Sequence, residues 1–434
     1  MDGTTLSTVL LLGGFVVLML IRVPVAFALL LSAVMSALAC GQGLSTLVQQ
    51  MVKGIDSFTL LAIPFFILMG EIMNEGGISN KIVDLANLLV GRFRGGLAYV
   101  NVLDSTLFGH VSGSAVADVS SLGSIVIPLM KKQGYDEDFA VGLTVTTACQ
   151  GVLIPPSHNM VIYALAAGIG GQIGELFLGG FLPGFLLGGS LMLLCFFMAK
   201  KYKFPRCDPV PKGQRLKIVV DAILPMMILV IIIVGVSIGV FTVTESAAIA
   251  CMYTFLLTYL IFRSAPLSSL GKVAKNTLKT LAIVLTLIAA AKSFAYMMTV
   301  LRIPDALTAL LTGLTHNKFL LLLIINVLLL LLGCFMDMAP LILIMTPILL
   351  PVVTDPVIGM DPVHFGIVLI FNLAVGLCTP PVGSALFVGC AIGKTPIERT
   401  AVKTLPMYGV MVLGLMLVTY IPAISLWLPT LLLR

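Results

Sequence analysis

Two prolines in succession occur twice in this chain, in GVLIPPSHN (residues 151–159) and in GLCTPPVGS (residues 376–384). Proline lacks a backbone donor and clashes with the preceding helical turn, so each pair leaves several carbonyl oxygens without helical partners. In an apolar setting such groups survive only where protein, water or an ion satisfies them. Sodium, a hard cation for which carbonyl and hydroxyl oxygens are natural ligands, suits this chemistry. Gly151, Ile154 and Ser157 around the first break, and Gly376, Thr379 and Val382 around the second, offer such oxygens at matching positions. The bland alternative is a kink whose carbonyls are capped by neighbouring side chains.

Two further stretches could handle an anion. SGSAVAD (residues 112–118) sets the small, hydroxyl-bearing Ser112 and Ser114 beside free amides and Asp118, in a polar segment that reads as the tip of a helical hairpin. Helix N-termini at such a tip favour a carboxylate. Its counterpart, GCFMDMAP (residues 333–340), contributes Gly333 and one acid, Asp337. Ionisable groups at membrane depth are candidates for function, although Asp104, Asp118 and Asp337 would equally serve as helix caps. His158 and Asn159, just after the first proline pair, are candidate substrate contacts. His110 and His158 have no second metal-ligand type nearby, so the simpler reading is buried, satisfied histidines. Lys292 lies in an apolar run and is expected to snorkel or pair with a carboxylate.

The elements that must position these residues follow from composition. Among 434 residues, 59% are apolar and 10% charged, which excludes a soluble protein. Apolar runs such as residues 6–21 and 319–333 suit helices crossing a core of roughly 30 Å, and about ten to twelve membrane segments are expected. The second apolar run, 23–39, follows the first at once, so the N-terminus reads as membrane helix and not as a cleaved leader. Eight scattered cysteines form no CxxC motif and read as buried hydrophobes. The net charge of +6 sits in short loops, where it sets orientation and does not suggest nucleic acid.

The densest basic loop carries Lys200, Lys201, Lys203, Arg206, Lys212, Arg215 and Lys217 and is expected in the cytoplasm. Keeping the other basic loops there too requires two segments, about 96–128 and 319–351, to enter the membrane and turn back. Each half then reads as two helices, an amphipathic connector (42–57; 264–279), a helix, a re-entrant hairpin, a proline-broken helix and a final helix. The pairs Asp136/Asp361, Gly151/Gly376, Pro155/Pro380 and Gly168/Gly393 keep one offset of 225 residues. The expected fold is an all-α polytopic membrane protein with an inverted repeat, the architecture of secondary transporters. Its expected divisions are 1–57, scaffold helices and connector; 58–170, transport region with the first hairpin and broken helix; 171–279, scaffold helices and second connector; 280–403, second transport region; and 404–434, terminal scaffold helix.

The stretches FTLLAIPFFILMGEIMNEGG (58–77), GLAYVNVLDSTLFGHVSGSAVADVSSLGSIVIPLMKKQGYD (96–136), GVLIPPS and GLCTPPVGSALFVG (376–389) closely resemble the large membrane subunit of tripartite ATP-independent periplasmic (TRAP) transporters, the DctM-like family. That resemblance implies a sodium-driven, elevator-type importer of carboxylate-bearing solutes in a bacterial inner membrane. It also implies a separate small four-helix membrane subunit and a soluble periplasmic protein that delivers the solute. The family's sodium sites match Ser112 and Ser114 with Gly151, Ile154 and Ser157, and Gly333 with Gly376, Thr379 and Val382. His110 in the first hairpin, and SHN after the first proline pair, depart from the family pattern near the expected cleft, so C4-dicarboxylates and sialic acid are not assumed as solutes. A stand-alone sodium/dicarboxylate symporter is the nearest rival. An intramembrane aspartyl protease is disfavoured because its GxGD motif is absent, a nucleotide-driven pump because no GxxxxGK[ST] loop occurs, and a channel because no selectivity-filter repeat is present.

Overall fold

The computed structural model describes residues 3–207, 210–237, 239–315 and 317–433, without the side chains at 108, 110–112, 237, 311, 312 and 314. The His110 ring and the Ser112 hydroxyl therefore lie outside the described atoms. Every regular element among the described residues is helical. The first half opens with α1 (Gly3–Thr8), α2 (Gly14–Leu20), α3 (Val25–Ala39), α4 (Leu44–Ile55), α5 (Ala62–Glu75) and α6 (Ile78–Val90). A helix–turn–helix pair follows, α7 (Gly96–Ser112) and α8 (Ala115–Lys132), then α9 (Glu137–Leu153), α10 (His158–Ala166) and α11 (Ile173–Tyr202). The second half runs α12 (Lys212–Ser237), α13 (Val243–Phe255), α14 (Leu270–Val300) and α15 (Ile303–Leu314). It continues with the pair α16 (Lys318–Gly333) and α17 (Met338–Thr354), then α18 (Pro362–Cys378), α19 (Ser384–Gly393), α20 (Ile397–Tyr420) and α21 (Ala423–Leu432).

Six helices among the described residues are long and apolar enough to cross a bilayer, or seven if the bent pair α9–α10 is one span. The remaining apolar helices are shorter; four of them, α16 to α19, are divided at the second hairpin turn and the second proline break. This is a multi-pass membrane protein. The second amphipathic connector does not stand alone as the first does. Residues 270–300 form one 31-residue helix, whereas α4 ends at Ile55 and a 3-10 turn, Phe58–Leu61, separates it from α5. No proline or glycine interrupts the second stretch between Lys272 and Val300, so nothing breaks it. The Lys292 stem lies on α4, where a Cβ at Gly54 would sit 2.6 Å from Lys292 Cγ.

The 225-residue repeat recurs in the hydrogen bonds. Asp136 accepts from the Phe139 amide at 3.0 Å, and Asp361 accepts from the equivalent His364 amide at 3.3 Å. Thr147 Oγ1 donates to Asn101 Oδ1 at 3.1 Å, joining α9 to α7. Asn372 Nδ2 donates to Asn326 Oδ1 at 2.8 Å, joining α18 to α16 at the equivalent positions. Where α9 and α18 cross, Cys149 Sγ donates to the carbonyl of Ala374, its own counterpart 225 residues on, at 3.0 Å. A residue touches its own repeat mate only near the axis that relates the halves. Around this crossing the packing is exchanged: α8 lies against α19, and α10 against α17. Arg399 and the hydroxyl of Thr400 both bond the fully buried Asp138, tying α20 to α9. The glycines of α11 face the first break: a Cβ at Gly180 would lie 2.2 Å from the Leu153 carbonyl oxygen, and one at Gly184 2.5 Å from Ile154 Cγ1. Small residues of this kind let helices approach closely inside a membrane.

Candidate functional site

Both double prolines interrupt a helix. The first separates α9 from α10 with a bend of 52°, and the second separates α18 from α19. Pro155–Pro156 and Pro380–Pro381 are both cis. Against each break lies the C-terminal end of a hairpin's first arm, in glycine-on-glycine contact. A Cβ at Gly109 would fall 2.2 Å from Gly151 Cα, and one at Gly376 would fall 2.6 Å from Gly333 Cα. Only hydrogen at these positions permits the approach. The expected pairing of Gly333 with Gly376 is thus a direct backbone contact, and Gly109 is its partner in the first half, a residue sequence reasoning passed over.

The second break is densely bonded. Thr379 Oγ1 donates to the Gly376 carbonyl at 3.0 Å and lies 3.0 Å from Cys334 Sγ. The amides of Val382 and Gly383 reach the Cys334 carbonyl at 3.2 and 3.4 Å, stitching the break to the hairpin turn. Tyr408 from α20 donates to the Cys378 carbonyl at 2.5 Å. The first break is emptier. Ile154 and Ser157 are buried, and Ser157 Oγ has no partner. Asn159 Nδ2 donates to the carbonyl of Gly113 at 3.0 Å, holding the first hairpin turn over α10. Gly113 has φ +59°, and a Cβ there would meet His158 Nδ1 at 2.9 Å.

The two hairpin turns open onto one cleft of about 490 Å³. Ser114, Val116, Ala117 and His158 line one side, Asp337, Ala339 and Pro340 another, and Glu71 and Asn74 of α5 a third. Ser114 caps α8, its Oγ accepting from the Ala117 amide at 3.4 Å, and α8 and α10 begin at this cleft. The structure thus brings Ser114, His158 and Asp337 together. Asn159 is committed to Gly113, and Asp118 is buried out of the cleft. Of the three acids, Asp104 is mid-helix and caps nothing, whereas Asp118 lies in the first turn of α8. Asp337 holds the N-cap position of α17 without closing a cap bond. The lining residues Glu71 and Asn74 were not foreseen, because nothing local in sequence links α5 to the hairpins.

Against known proteins, the model of the family described as "Tripartite ATP-independent periplasmic transporter, DctM component" matches residues 12–424. The chain belongs to this family. It is 42% identical over 426 residues to YgiK of Salmonella typhimurium, covering 98% of this chain and 97% of that one. It is 36% identical over 440 residues to the C4-dicarboxylate TRAP transporter large permease protein DctM of Rhodobacter capsulatus, covering 98% and 100%. To the sialic acid TRAP transporter large permease protein SiaM of Vibrio cholerae it is 37% identical over 419 residues, covering 96% and 97%. Among solved structures, the YdaH transporter of Alcanivorax borkumensis is similar in fold, with TM-score 0.64 at 15% identity over 87% of this chain and 88% of that one. As a TRAP large permease the chain is a transporter subunit and not an enzyme, and the family implies a small membrane subunit and a periplasmic binding protein as partners.

Proposed function

We propose that this TRAP large permease imports a small carboxylate-bearing solute across a bacterial inner membrane, driven by sodium. A periplasmic protein delivers the solute, and a small four-helix subunit completes the membrane complex. The observation that carries the reading is the shared cleft, into which both hairpin turns open with a proline break behind each. The N-termini of α8 and α10, with Ser114 and His158, suit the anionic end of the solute. Asp337 and Glu71 repel a carboxylate and favour hydroxyl or amine donors at the other end. Sodium is assigned to Ser112, Ser114, Gly151, Ile154 and Ser157 in the first half, and to Gly333, Gly376, Thr379 and Val382 in the second. The hairpins are re-entrant in this reading, and the interlocked packing of α8 with α19 and of α10 with α17 suits one body moving as an elevator.

The test is uptake by proteoliposomes holding both membrane subunits. Uptake is expected with a sodium gradient and loaded binding protein, without stimulation by ATP. Equal uptake in choline and sodium buffers overturns the coupling ion. Uptake undiminished without the binding protein favours a stand-alone symporter.

A further inference from the structure

A groove on the flank of the molecule takes no part in the cleft or the breaks. It has a volume of about 680 Å³ and runs between α11 and the turn that leads from α6 into α7. Phe93, Met192, Leu193 and Phe196 give it hydrocarbon walls, its charged residues are Arg94 and Lys200, and none of the described residues lining it is acidic. Phe93, Leu193 and Phe196 are exposed, so the groove opens outward, towards lipid. Backbone contacts build its basic end. The Gly95 amide donates to the Pro205 carbonyl at 2.9 Å, and the Cys207 amide to the Gly91 carbonyl at 3.2 Å. A Cβ at Gly95, where φ is +84°, would lie 2.7 Å from Ala199 Cβ. The turn carrying Arg94 is thereby held against the last turns of α11, beside Lys200. Arg92 and Lys201 flank this end, leaning on the rings of Phe93 and Tyr202 with 5.1 and 5.5 Å to the centroids. None of these four cations enters an ion pair among the described residues.

The length of the groove selects its occupant. From Gly189 to Lys200 α11 advances 200 − 189 = 11 residues, about 17 Å at 1.5 Å per residue. That is roughly half of a bilayer core of about 30 Å. A spanning helix of a partner would need the full thickness and would lie against two basic side chains. A lipid of one leaflet needs only this length and brings a phosphate to the basic end. Basic recesses between membrane helices at the cytoplasmic surface suit anionic headgroups. We propose that the groove holds one anionic phospholipid of the cytoplasmic leaflet, its phosphate at Arg94 and Lys200 and one acyl chain running along Leu193 and Phe196 as far as Gly189. The leaflet follows from the basic loops lying in the cytoplasm, which topology reporters test independently of lipid binding. Because the α6–α7 turn feeds the first hairpin, the bound lipid holds the base of that hairpin against α11.

The test uses the complex of both membrane subunits, stripped of lipid in detergent and titrated with dioleoyl phosphatidylglycerol or dioleoyl phosphatidylcholine. Native mass spectrometry counts the lipids bound. Wild type is expected to take up one phosphatidylglycerol in preference to phosphatidylcholine. The double variant Arg94→Gln with Lys200→Gln is expected to bind phosphatidylglycerol at least about tenfold more weakly, from roughly fivefold per charge, and to lose the preference. A Cβ at Gly189 meets nothing within 4 Å, so Gly189→Leu fills the groove without a clash. That variant is expected to unfold no earlier than wild type and to lose the bound phosphatidylglycerol. Equal binding of phosphatidylglycerol by wild type and both variants overturns the site. Equal affinity of wild type for the two lipids overturns it too, since an apolar surface alone then accounts for binding. A Gly189→Leu complex that folds but sheds its small subunit assigns the groove to that subunit and overturns the lipid as occupant.

Discussion

Thr379, just before the second proline pair, and Ser157, just after the first, are the hydroxyls assigned to sodium at the breaks themselves and stand in opposite hydrogen-bonding states, which makes them informative as a pair. The Thr379 hydroxyl is engaged by the Gly376 and Val375 carbonyls and by Cys334, while the Ser157 hydroxyl is buried with no partner. If both are sodium ligands, Thr379→Val and Ser157→Ala each remove one donor to a charged group. That is worth on the order of 1.5–3 kcal/mol, or roughly tenfold or more in half-saturating sodium concentration. If the breaks are structural kinks, the two changes separate. Thr379→Val then loses made bonds and lowers the unfolding temperature, while Ser157→Ala removes an unsatisfied group and holds or raises it. Uptake against sodium concentration, with thermal unfolding of the same preparations, decides between them; unshifted sodium curves for both variants leave carbonyl-only coordination.

Glycine against glycine is the contact that joins each hairpin to its broken helix, and its cost can be measured. A methyl at Gly376 meets backbone atoms of Gly333 at 2.6 Å, and one at Gly109 meets Gly151 Cα at 2.2 Å. Backbone cannot rotate aside as a side chain can. Gly376→Ala and Gly109→Ala are therefore each expected to destabilise by about 1–3 kcal/mol or more. Gly271→Ala, on α14 with nothing within 4 Å, is the matched control and is expected to be neutral or slightly stabilising. Unfolding midpoints of the three variants in detergent check this; equal midpoints refute the tight crossing. The proline pairs, Gly151 and Gly376 were legible in the sequence because helix breaking and the 225 offset are local or periodic signals. Gly109 was not, because its match to Gly333 is 224 residues and misses that offset by one. Asn101 with Asn326 and Thr147 with Asn372 do keep it, but Thr opposite Asn conceals the likeness. Tyr408 reaches the Cys378 carbonyl from 30 residues away, and no spacing rule finds such a contact. The acids Asp104 and Asp118 were visible as residues, but their burial depends on the hairpin folding back.

The contact of Cys149 with Ala374 bears on how the whole molecule sits in a bilayer. It puts the axis relating the halves between α9 and α18, and what remains is whether that axis lies in the membrane plane. Charge argues that it does. The base of the first hairpin ends in Lys131 and Lys132, whereas the equivalent end of the second hairpin is followed by Asp355 with no basic residue. Short cytoplasmic loops collect Lys and Arg, so the two hairpins are expected to enter from opposite sides. Basic residues at either end of the α12–α13 pair carry the remaining signal: Lys212, Arg215 and Lys217 in the first turns of α12, and, beyond α13, Arg263 with Lys272 and Lys275 at the start of α14. Reporter fusions after Lys212 and after Lys272 are both expected in the cytoplasm, and a fusion after Asp355 outside. A parallel repeat would instead put the two hairpin bases on one side. Cytoplasmic signals from Lys132 and Asp355 together would then overturn the inverted arrangement, and with it the opposed hairpins on which alternating access in this reading depends.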